Sequence, residues 1–358
     1  MMSTSNNNIR VLVTGASGYV GSHCVQQLLT SGYNVRGTVR SLKNKEKVQP
    51  LRNLRHARER LELVEADLME PNSWPKAVDS CDYVLHVASP FQLVADENTI
   101  TTAVEGTLNV LKACSKCNTV KKVVLTSSCA SIMYGHEDYN HVFTEKDWSN
   151  VNGKNINTYS KSKTFAEKAA WEFVDSIPRG DNKFKLTCLN PALIVGPSLT
   201  DDQGTSVTLI KRILNHEMPG LPKLYFNSVD IRDVAKAHVL AMENPKTDGE
   251  RIILIYDYGD WAADFSGYLA KEFGPQGYRI PTCNLPYFMV WLGSFFDETA
   301  KDALGLIGVE QKLSNNKAKN LLGLEFTPTE KALVDMGYNL IEKGIVPKKQ
   351  GYKSRTRL

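Results

Sequence analysis

The sequence predicts an α/β fold: a doubly wound parallel sheet with a smaller, discontinuous α/β lobe. Short β-branched runs alternate with helical patterns through the first half of the chain, and a glycine-rich turn follows the first run. Beyond about residue 196 the alternation becomes irregular. Strands that alternate with helices imply βαβ units, which place helices on both faces of a parallel sheet. Ligands of such sheets bind at the carboxyl ends of the strands.

The individual elements follow from hydrophobic periodicity along the chain. Short apolar runs predict strands at residues 9–14, 34–39, 61–65, 82–87, 120–126, 184–189 and 251–255. Apolar residues at helical spacing predict helices at residues 19–30, 97–116, 157–176, 230–243, 261–273 and 313–322.

Composition narrows the class of protein. With 358 residues, 42% of them hydrophobic and 23% charged, the chain is typical of soluble globular proteins, which excludes a disordered, collagen-like or disulfide-scaffold chain. A net charge of only +4 argues against a nucleic-acid binder. The longest near-continuous apolar stretch, residues 285–296, is too short to span a bilayer, so no membrane association is expected. Seven irregularly spaced cysteines without a secretory signal favour reduced thiols and a cytoplasmic location.

The strongest motif is a Gly-x-x-Gly-x-x-Gly turn between the first predicted strand and the first predicted helix. Glycine is needed where a backbone turns sharply, where it approaches a pyrophosphate, and where helix packs on strand. The helix that follows directs its N-terminal N–H groups at the anion. The sequence therefore predicts a Rossmann-type dinucleotide site, and its candidate residues in this turn are Gly15, Ser17, Gly18, Tyr19, Val20 and Gly21.

The end of the second strand selects the cofactor. An acidic residue there binds the ribose hydroxyls of NAD, whereas a basic residue accommodates the 2′-phosphate of NADP. Here Arg40 follows the strand, Lys43, Lys45 and Lys47 lie just beyond, and no acid precedes Glu46. The sequence favours NADP(H), with Arg40 stacking on or gripping the phosphate and a lysine assisting. A solvated basic loop is the alternative.

The third strand ends in an acidic residue with two possible roles. Asp67 can accept a hydrogen bond from the adenine amino group, or it can cap the next turn. Both interpretations stay open at this point.

The chemistry is predicted on the fifth strand and the helix after it. Ser128 follows the strand, and Tyr159 and Lys163 lie four residues apart on one helical face. A neighbouring ammonium should lower the tyrosine pKa towards neutrality, so Tyr159 could pass a proton to a substrate oxygen near pH 7. Ser128 would hydrogen-bond the same oxygen, and Lys163 could also hold the nicotinamide ribose. Tyr-x-x-x-Lys alone is a weak signal, but here it follows a phosphate-binding turn and a serine-ended strand.

Taken together, these motifs resemble the extended short-chain dehydrogenase/reductases, and within them the dihydroflavonol-4-reductase-like branch. That branch includes dihydroflavonol and cinnamoyl-CoA reductases and NADPH-dependent methylglyoxal and aldehyde reductases. The resemblance covers roughly residues 9–347. The matching stretches are residues 14–21, 86–90, 126–128, 162–171, 190–197, 229–235 and 321–324.

The resemblance implies hydride transfer from NADPH to the carbonyl of a small-molecule aldehyde or ketone, with Tyr159 as general acid. It assigns Ser128, Tyr159 and Lys163 as the catalytic triad. The implied cofactor contacts outside the glycine turn are Arg40, Lys47, Asp67, Leu68, Val87, Ala88, Ser89, Thr126, Tyr159, Lys163 and Pro191. The substrate-lining candidates are Pro90, Phe91 and Ser128. A monomer or homodimer without a metal site is expected.

One position departs from the pattern of many relatives. Ala103 stands where they carry an asparagine linked to a proton-relay water. Two other functions stay open: a nucleotide-sugar epimerase/dehydratase or 3β-hydroxysteroid dehydrogenase-like enzyme, and a non-catalytic NADP-sensing scaffold.

The motifs also predict how the chain is divided. Residues 1–8 are expected to be disordered, and the basic tail, residues 348–358, to fray. The NADP-binding domain comprises residues 9–190 and about 224–260, and the substrate lobe about 191–223 and 261–347. Aromatic residues between 287 and 296 either line a substrate pocket or pack the lobe.

Overall fold

A computed structural model describes residues 6–89, 97–178, 180–201, 204–295, 301 and 304–355. The strands are β1 (Arg10–Thr14), β2 (Asn34–Val39), β3 (Leu61–Glu65), β4 (Tyr83–His86), β5 (Lys122–Thr126), β6 (Val142–Phe143), β7 (Lys185–Pro191), β8 (Leu193–Val195), β9 (Tyr225–Phe226), β10 (Ser228–Asp230), β11 (Arg251–Leu254), β12 (Asp260–Trp261) and β13 (Lys312–Leu313). The helices are α1 (Tyr19–Thr30), α2 (Lys45–Arg52), α3 (Ala57–Arg60), α4 (Trp74–Val78), α5 (Glu97–Lys116), α6 (Thr158–Asp175), α7 (Thr205–Leu214), α8 (Ile231–Glu243), α9 (Ala262–Phe273), α10 (Tyr287–Gly293), α11 (Asn316–Leu322) and α12 (Thr329–Glu342).

The main sheet has seven parallel strands in the order β11-β7-β5-β4-β1-β2-β3. Its central strands are apolar almost throughout because helices cover both faces. The direction of winding reverses between β1 and β4, and such a reversal opens a crevice at the carboxyl ends of the strands. The predicted α/β, doubly wound fold is confirmed, and the bounds of its strands differ from the predicted ones by at most two residues.

Two apolar clusters sandwich this sheet. On one face α1 and α8 contribute residues such as Leu28 and Val234. On the other face α4, α5 and α6 contribute residues such as Trp74, Leu111 and Ala170. Each cluster contains alternate residues of the same strands, so the sheet separates the two clusters. Packing on both faces holds the sheet in place and fixes the positions of its loops.

Later segments form a third cluster, in which α7, α9 and α12 bury residues such as Ile210, Phe265 and Leu333. The small pairs β8–β10 and β9–β12 border it. The division into a cofactor domain and a substrate lobe stays a prediction, but α11 departs from it. Its Ala318 and Leu322 pack with the α1–α8 cluster, because the apolar face of α11 lies against α8 and β11.

The described parts of both termini are hydrogen-bonded to the rest of the chain. Asn6–Asn8 form a 3-10 turn, held by the Asn6 Nδ2 donation to the carbonyl oxygen of Ser31 at 3.1 Å. The basic tail makes such contacts as far as residue 355. The backbone N–H of Lys353 donates to Gln276 Oε1 at 3.0 Å, and the Arg355 guanidinium donates to Asp335 at 2.5 Å. The end of α1 therefore holds the N-terminal turn, and Gln276 and Asp335 hold the tail.

Helix α10 presents its aromatic residues to solvent. Tyr287, Phe288 and Trp291 are 57%, 65% and 49% exposed, while Val290 is buried. These three aromatic side chains therefore do not pack the lobe. Within the described residues, no helix combines the length and apolar character that crossing a bilayer requires.

Three buried histidines make stability sensitive to acid. Burial lowers the pKa of His23 to about 4, of His86 to about 3 and of His238 to about 4. Their unfolded pKa lies near 6.5, so as the pH falls below that value the unfolded chain binds protons that the folded chain does not. Each histidine should therefore cost up to about 1.4 kcal/mol of folding stability per pH unit between about 6.5 and 4.

Chemical unfolding at several pH values checks this expectation. His238→Gln should flatten the loss of stability between pH 6.5 and 4, because it removes one of the three groups. His216 is exposed, so His216→Asn is the matched control and should keep the wild-type slope. Equal slopes for the two variants would contradict the argument.

Candidate active site

The glycine turn leaves no room for side chains. Gly15 has a φ of +66°, and a Cβ on it would lie 3.1 Å from the Cα of Ala88. A Cβ on Gly21 would lie 2.2 Å from the carbonyl oxygen of Gly15. Gly18 is the N-cap of α1 and supplies no side chain to its first turn. Because no side chain caps the first turn of α1, its backbone N–H groups beside the crevice in the sheet can bind a pyrophosphate.

The end of β4 is tied to the end of β1 by a hydroxyl. Thr14 Oγ1 accepts from the backbone N–H groups of Val87 at 3.0 Å and Ala88 at 2.9 Å, and it lies 2.9 Å from His86 Nδ1. The sequence reasoning did not predict this contact, although Thr14 and His86 end neighbouring strands in register. It fixes the Val87–Ala88 backbone against the glycine turn.

The loop after β2 carries the predicted phosphate site. Arg40 is exposed, and Lys47 lies in the first turn of α2. Glu65, at the end of β3, accepts from the backbone N–H of Leu42 at 2.7 Å, a contact that the sequence reasoning missed. This acid therefore holds the backbone of the basic loop.

The residues after β3 contact the backbone of their own turn and α5. Asp67 Oδ1 accepts from the N–H of Met69 at 2.9 Å, which is the capping role left open above. The carbonyl of Leu68 accepts from Asn109 Nδ2 at 2.8 Å, so α5 holds this end of the crevice.

The proposed catalytic residues meet at the carboxyl edge of the sheet. Ser128 follows β5 and caps a 3-10 turn, where its Oγ accepts from the N–H of Ala130 at 3.1 Å. Tyr159 and Lys163 lie in the first turns of α6, which Asn157 caps. The hydroxyls of Tyr159 and Ser128 are hydrogen-bonded. The structure thus brings together all three residues that the sequence selected.

Lys163 lies one helical turn after Tyr159 and is the third of these residues. Its Nζ lies 5.9 Å from the centroid of the Tyr159 ring and donates to Ser89 Oγ at 3.0 Å. Ser89 follows β4, so Lys163 links α6 to the loop beside the glycine turn.

Burial sets the protonation states here. It raises the pKa of the Tyr159 phenol above its usual value of 10.0, and the hydrogen bond from Ser128 opposes this only in part. Burial lowers the pKa of Lys163 to about 8, with the Glu167 carboxylate acting in the opposite direction. The expectation that Lys163 brings the Tyr159 pKa towards neutrality is wrong for this structure, because desolvation is the larger effect. Near pH 7 the phenol keeps its proton.

Comparison with known proteins identifies the family. The model of the NAD dependent epimerase/dehydratase family matches residues 11–255. The chain belongs to this family. It is 36% identical over 351 residues to cinnamoyl-CoA reductase CAD2 of Medicago truncatula, covering 96% of this chain and 98% of that protein. It is 37% identical over 256 residues to dihydroflavonol 4-reductase of Arabidopsis thaliana, covering 69% and 65% of the two chains.

Solved structures agree with this assignment. Yeast methylglyoxal/isovaleraldehyde reductase Gre2 in complex with NADPH has a TM-score of 0.78 at 28% identity, over 94% of this chain and 99% of that one. Gre2 from Candida albicans with NADPH has a TM-score of 0.77 at 31% identity, over 93% and 99%. The predicted resemblance is confirmed: this epimerase/dehydratase family member is an NAD(P)-dependent reductase of the extended short-chain type.

Two further candidate residues, Pro191 and Thr126, lie on the same sheet edge and have different surroundings. Pro191 ends β7 and is buried, whereas the Thr126 hydroxyl lies 2.7 Å from His238 Nε2 on α8. His238 donates from Nδ1 to the Val234 carbonyl, so its Nε2 accepts from Thr126. The candidates Pro90 and Phe91 lie outside the described residues.

A buried acid below the triad escaped the sequence reasoning. Glu167 is 1% exposed and pairs with Arg251 on β11 at 2.6 Å. Its position four residues after Lys163, on the same face of α6, is the signal that could have found it.

Proposed function

We propose that this family member reduces an aldehyde or ketone to an alcohol with NADPH, and that Ser128, Tyr159 and Lys163 are its catalytic residues. One observation carries the proposal. A protonated phenol, hydrogen-bonded to a serine hydroxyl and near a lysine ammonium, lies beside a turn that fits a pyrophosphate. That arrangement can bind a carbonyl oxygen and give it a proton.

The proposed steps follow from the protonation states. NADPH, when bound, supplies the hydride. Tyr159 donates its proton to the carbonyl oxygen as negative charge develops there, and Ser128 donates a hydrogen bond to the same oxygen. The Lys163 ammonium stabilises the phenolate that remains. A raised tyrosine pKa suits the reducing direction, because the general acid must hold its proton at neutral pH.

Arg40 supports NADPH over NADH, and its removal gives a specific expectation. Arg40→Ala should weaken NADPH binding by about tenfold or more, since a charge-assisted contact to the 2′-phosphate is lost, and should leave NADH binding nearly unchanged. Cofactor titrations by fluorescence measure both. Arg52→Ala, at the far end of α2, is the matched basic control. Equal weakening of both cofactors by Arg40→Ala would contradict the assigned contact.

A screen of NADPH consumption tests the proposed activity. Its substrates are methylglyoxal, aromatic aldehydes, dihydroflavonols and 3-ketosteroids, which are aldehydes and ketones of different size. We expect consumption with at least one of them, faster with NADPH than with NADH. Tight NADPH binding without consumption would favour the scaffold alternative, and NAD-dependent interconversion of a nucleotide sugar would favour the epimerase alternative.

The proposal extends to the substrate lobe, the cellular location and the oligomeric state. We propose that the substrate lobe comprises about residues 191–223 and 261–347, and that the protein acts in the cytoplasm as a monomer or homodimer. All seven cysteines are free thiols, which supports the location.

A further inference from the structure

Glu167 and Arg251 form a buried ion pair directly beneath the proposed triad. The Arg251 Nε lies 2.6 Å from Glu167 Oε1, and the two residues are 8% and 1% exposed. A buried carboxylate is costly unless its remaining lone pairs are also satisfied, so the other partners of this pair matter.

The second oxygen of Glu167 accepts hydrogen bonds from three side chains around Ser128. Oε2 accepts from Ser127 Oγ at 2.5 Å, from Ser131 Oγ at 2.6 Å and from Asn190 Nδ2 at 2.8 Å. Ser127 precedes Ser128, and Ser131 is the last residue of the turn that Ser128 caps. Asn190 immediately precedes Pro191 and also donates to the Ser128 carbonyl at 3.3 Å. One carboxylate therefore fixes the backbone on both sides of the serine.

Arg251 extends the network to the segment that leads into α6. Its guanidinium lies 3.6 Å from the centroid of the Trp148 ring, and its Nη1 donates to the carbonyls of Glu145 and Asp147 at 3.0 and 2.7 Å. That segment ends at the N-cap of the helix that carries Tyr159. The pair thus joins the element with Ser128 to the element with Tyr159 and Lys163.

The charge of Glu167 also acts on Lys163, one helical turn away. The carboxylate raises the pKa of Lys163 against the lowering by burial. Within the part of the chain that the structure describes, the other titratable groups facing Lys163 are Tyr159 on α6 and His86 on β4, and both are neutral near pH 7. Among the described residues, Glu167 therefore supplies the negative charge beside this ammonium, and the same carboxylate pairs with Arg251.

We propose that Glu167, held by Arg251, is a positioning residue for the carbonyl reduction: it fixes the Ser128 turn and places a negative charge one helical turn from Lys163. This inference rests on the proposed function. Glu167 does not reach the substrate oxygen, and its effect passes through Ser128 and Lys163.

Glu167→Gln tests the proposal because it keeps the shape and removes the charge. We expect kcat for reduction at pH 7 to fall by between about tenfold and a hundredfold, while KM for NADPH changes less than about twofold. The basic limb of the kcat profile should move to lower pH by about one unit, because Lys163 loses its proton earlier. Glu167→Asp keeps the charge but shortens the reach, so its kcat should fall while the basic limb stays in place.

Two further variants separate positioning from loss of folding. Glu167→Gln leaves Arg251 unpaired, which is destabilising, so Glu167→Gln with Arg251→Met removes both charges and should fold better. Lys122→Met is the matched control: Lys122 is 4% exposed, pairs with Asp248 at 2.7 Å, and lies at the opposite end of β5. It should lose stability and keep the wild-type kcat and basic limb.

Failure of the positioning role of Glu167 can be distinguished from failure of the proposed carbonyl reduction. If the wild type reduces carbonyls and both Glu167→Gln variants, compared per folded molecule, keep its kcat and its basic limb, the positioning role is wrong. If the wild type reduces no carbonyl, the pH dependence of Lys163 modification by an amine-reactive reagent, mapped by mass spectrometry, still tests the charge. Glu167→Gln should shift that profile to lower pH, and an unchanged profile would overturn the proposal.

Discussion

Replacing Tyr159 with phenylalanine is expected to lower kcat/KM for carbonyl reduction by between about a hundredfold and ten thousandfold. The change removes the proton donor and leaves the ring. The Tyr159 phenol keeps its proton near neutral pH, and phenylalanine has no hydroxyl that could donate it to the substrate oxygen. NADPH affinity should stay within about twofold of the wild-type value. Steady-state kinetics and a cofactor titration measure the two quantities separately.

Tyr134 provides the control for this substitution. It lies after the Ser128 turn, and burial also raises the pKa of its phenol. Tyr134→Phe should keep kcat/KM within a few-fold of the wild type, because its hydroxyl is assigned no step. An undiminished rate in Tyr159→Phe would show that the proton comes from elsewhere. Equal losses in both variants would point to packing rather than proton transfer.

Gly21→Ala is expected to have the second large effect, on both cofactor binding and stability. The added Cβ would lie 2.2 Å from the Gly15 carbonyl oxygen and 3.1 Å from the Ala16 Cα, and backbone atoms cannot rotate away. Displacing α1 from the turn should cost about 3 kcal/mol of folding stability. NADPH affinity should fall at least about tenfold, because the start of α1 no longer faces the pyrophosphate.

Gly267→Ala is the matched control in another helix. Gly267 lies within α9, and among the described residues no atom outside the adjacent helix backbone lies within 4 Å of the Cβ that this change adds. It should therefore stabilise the protein by about 0.5–1 kcal/mol through higher helix propensity, with NADPH affinity unchanged. Urea unfolding and fluorescence titration give both values. Wild-type NADPH affinity in Gly21→Ala would contradict the assigned role of the turn.

The parts of the site that the sequence predicted are those set by local spacing. The glycine turn lies between two adjacent elements, and Tyr159 and Lys163 meet because they are four apart on one helix. The strands of the sheet were predictable because burial on both faces makes them continuously apolar.

The parts that it missed depend on contacts distant in sequence. Arg251 reaches Glu167 across 84 residues, and Thr14 meets His86 across 72. The direction of the Tyr159 pKa shift was wrong because helical spacing reveals a neighbouring charge but not the depth of burial. Helix α12 was not predicted, and its partners α7 and α9 lie far away along the chain.

The central claim is that this protein transfers a hydride from NADPH to a carbonyl carbon and releases an alcohol. The most direct measurement uses NADPH in which both hydrogens at C4 of the nicotinamide are replaced by deuterium, with a substrate found in the consumption screen. We expect one NADP⁺ for each alcohol formed, with deuterium on the carbinol carbon. Product without net oxidation of the cofactor, or alcohol without deuterium at that carbon, would contradict the claim.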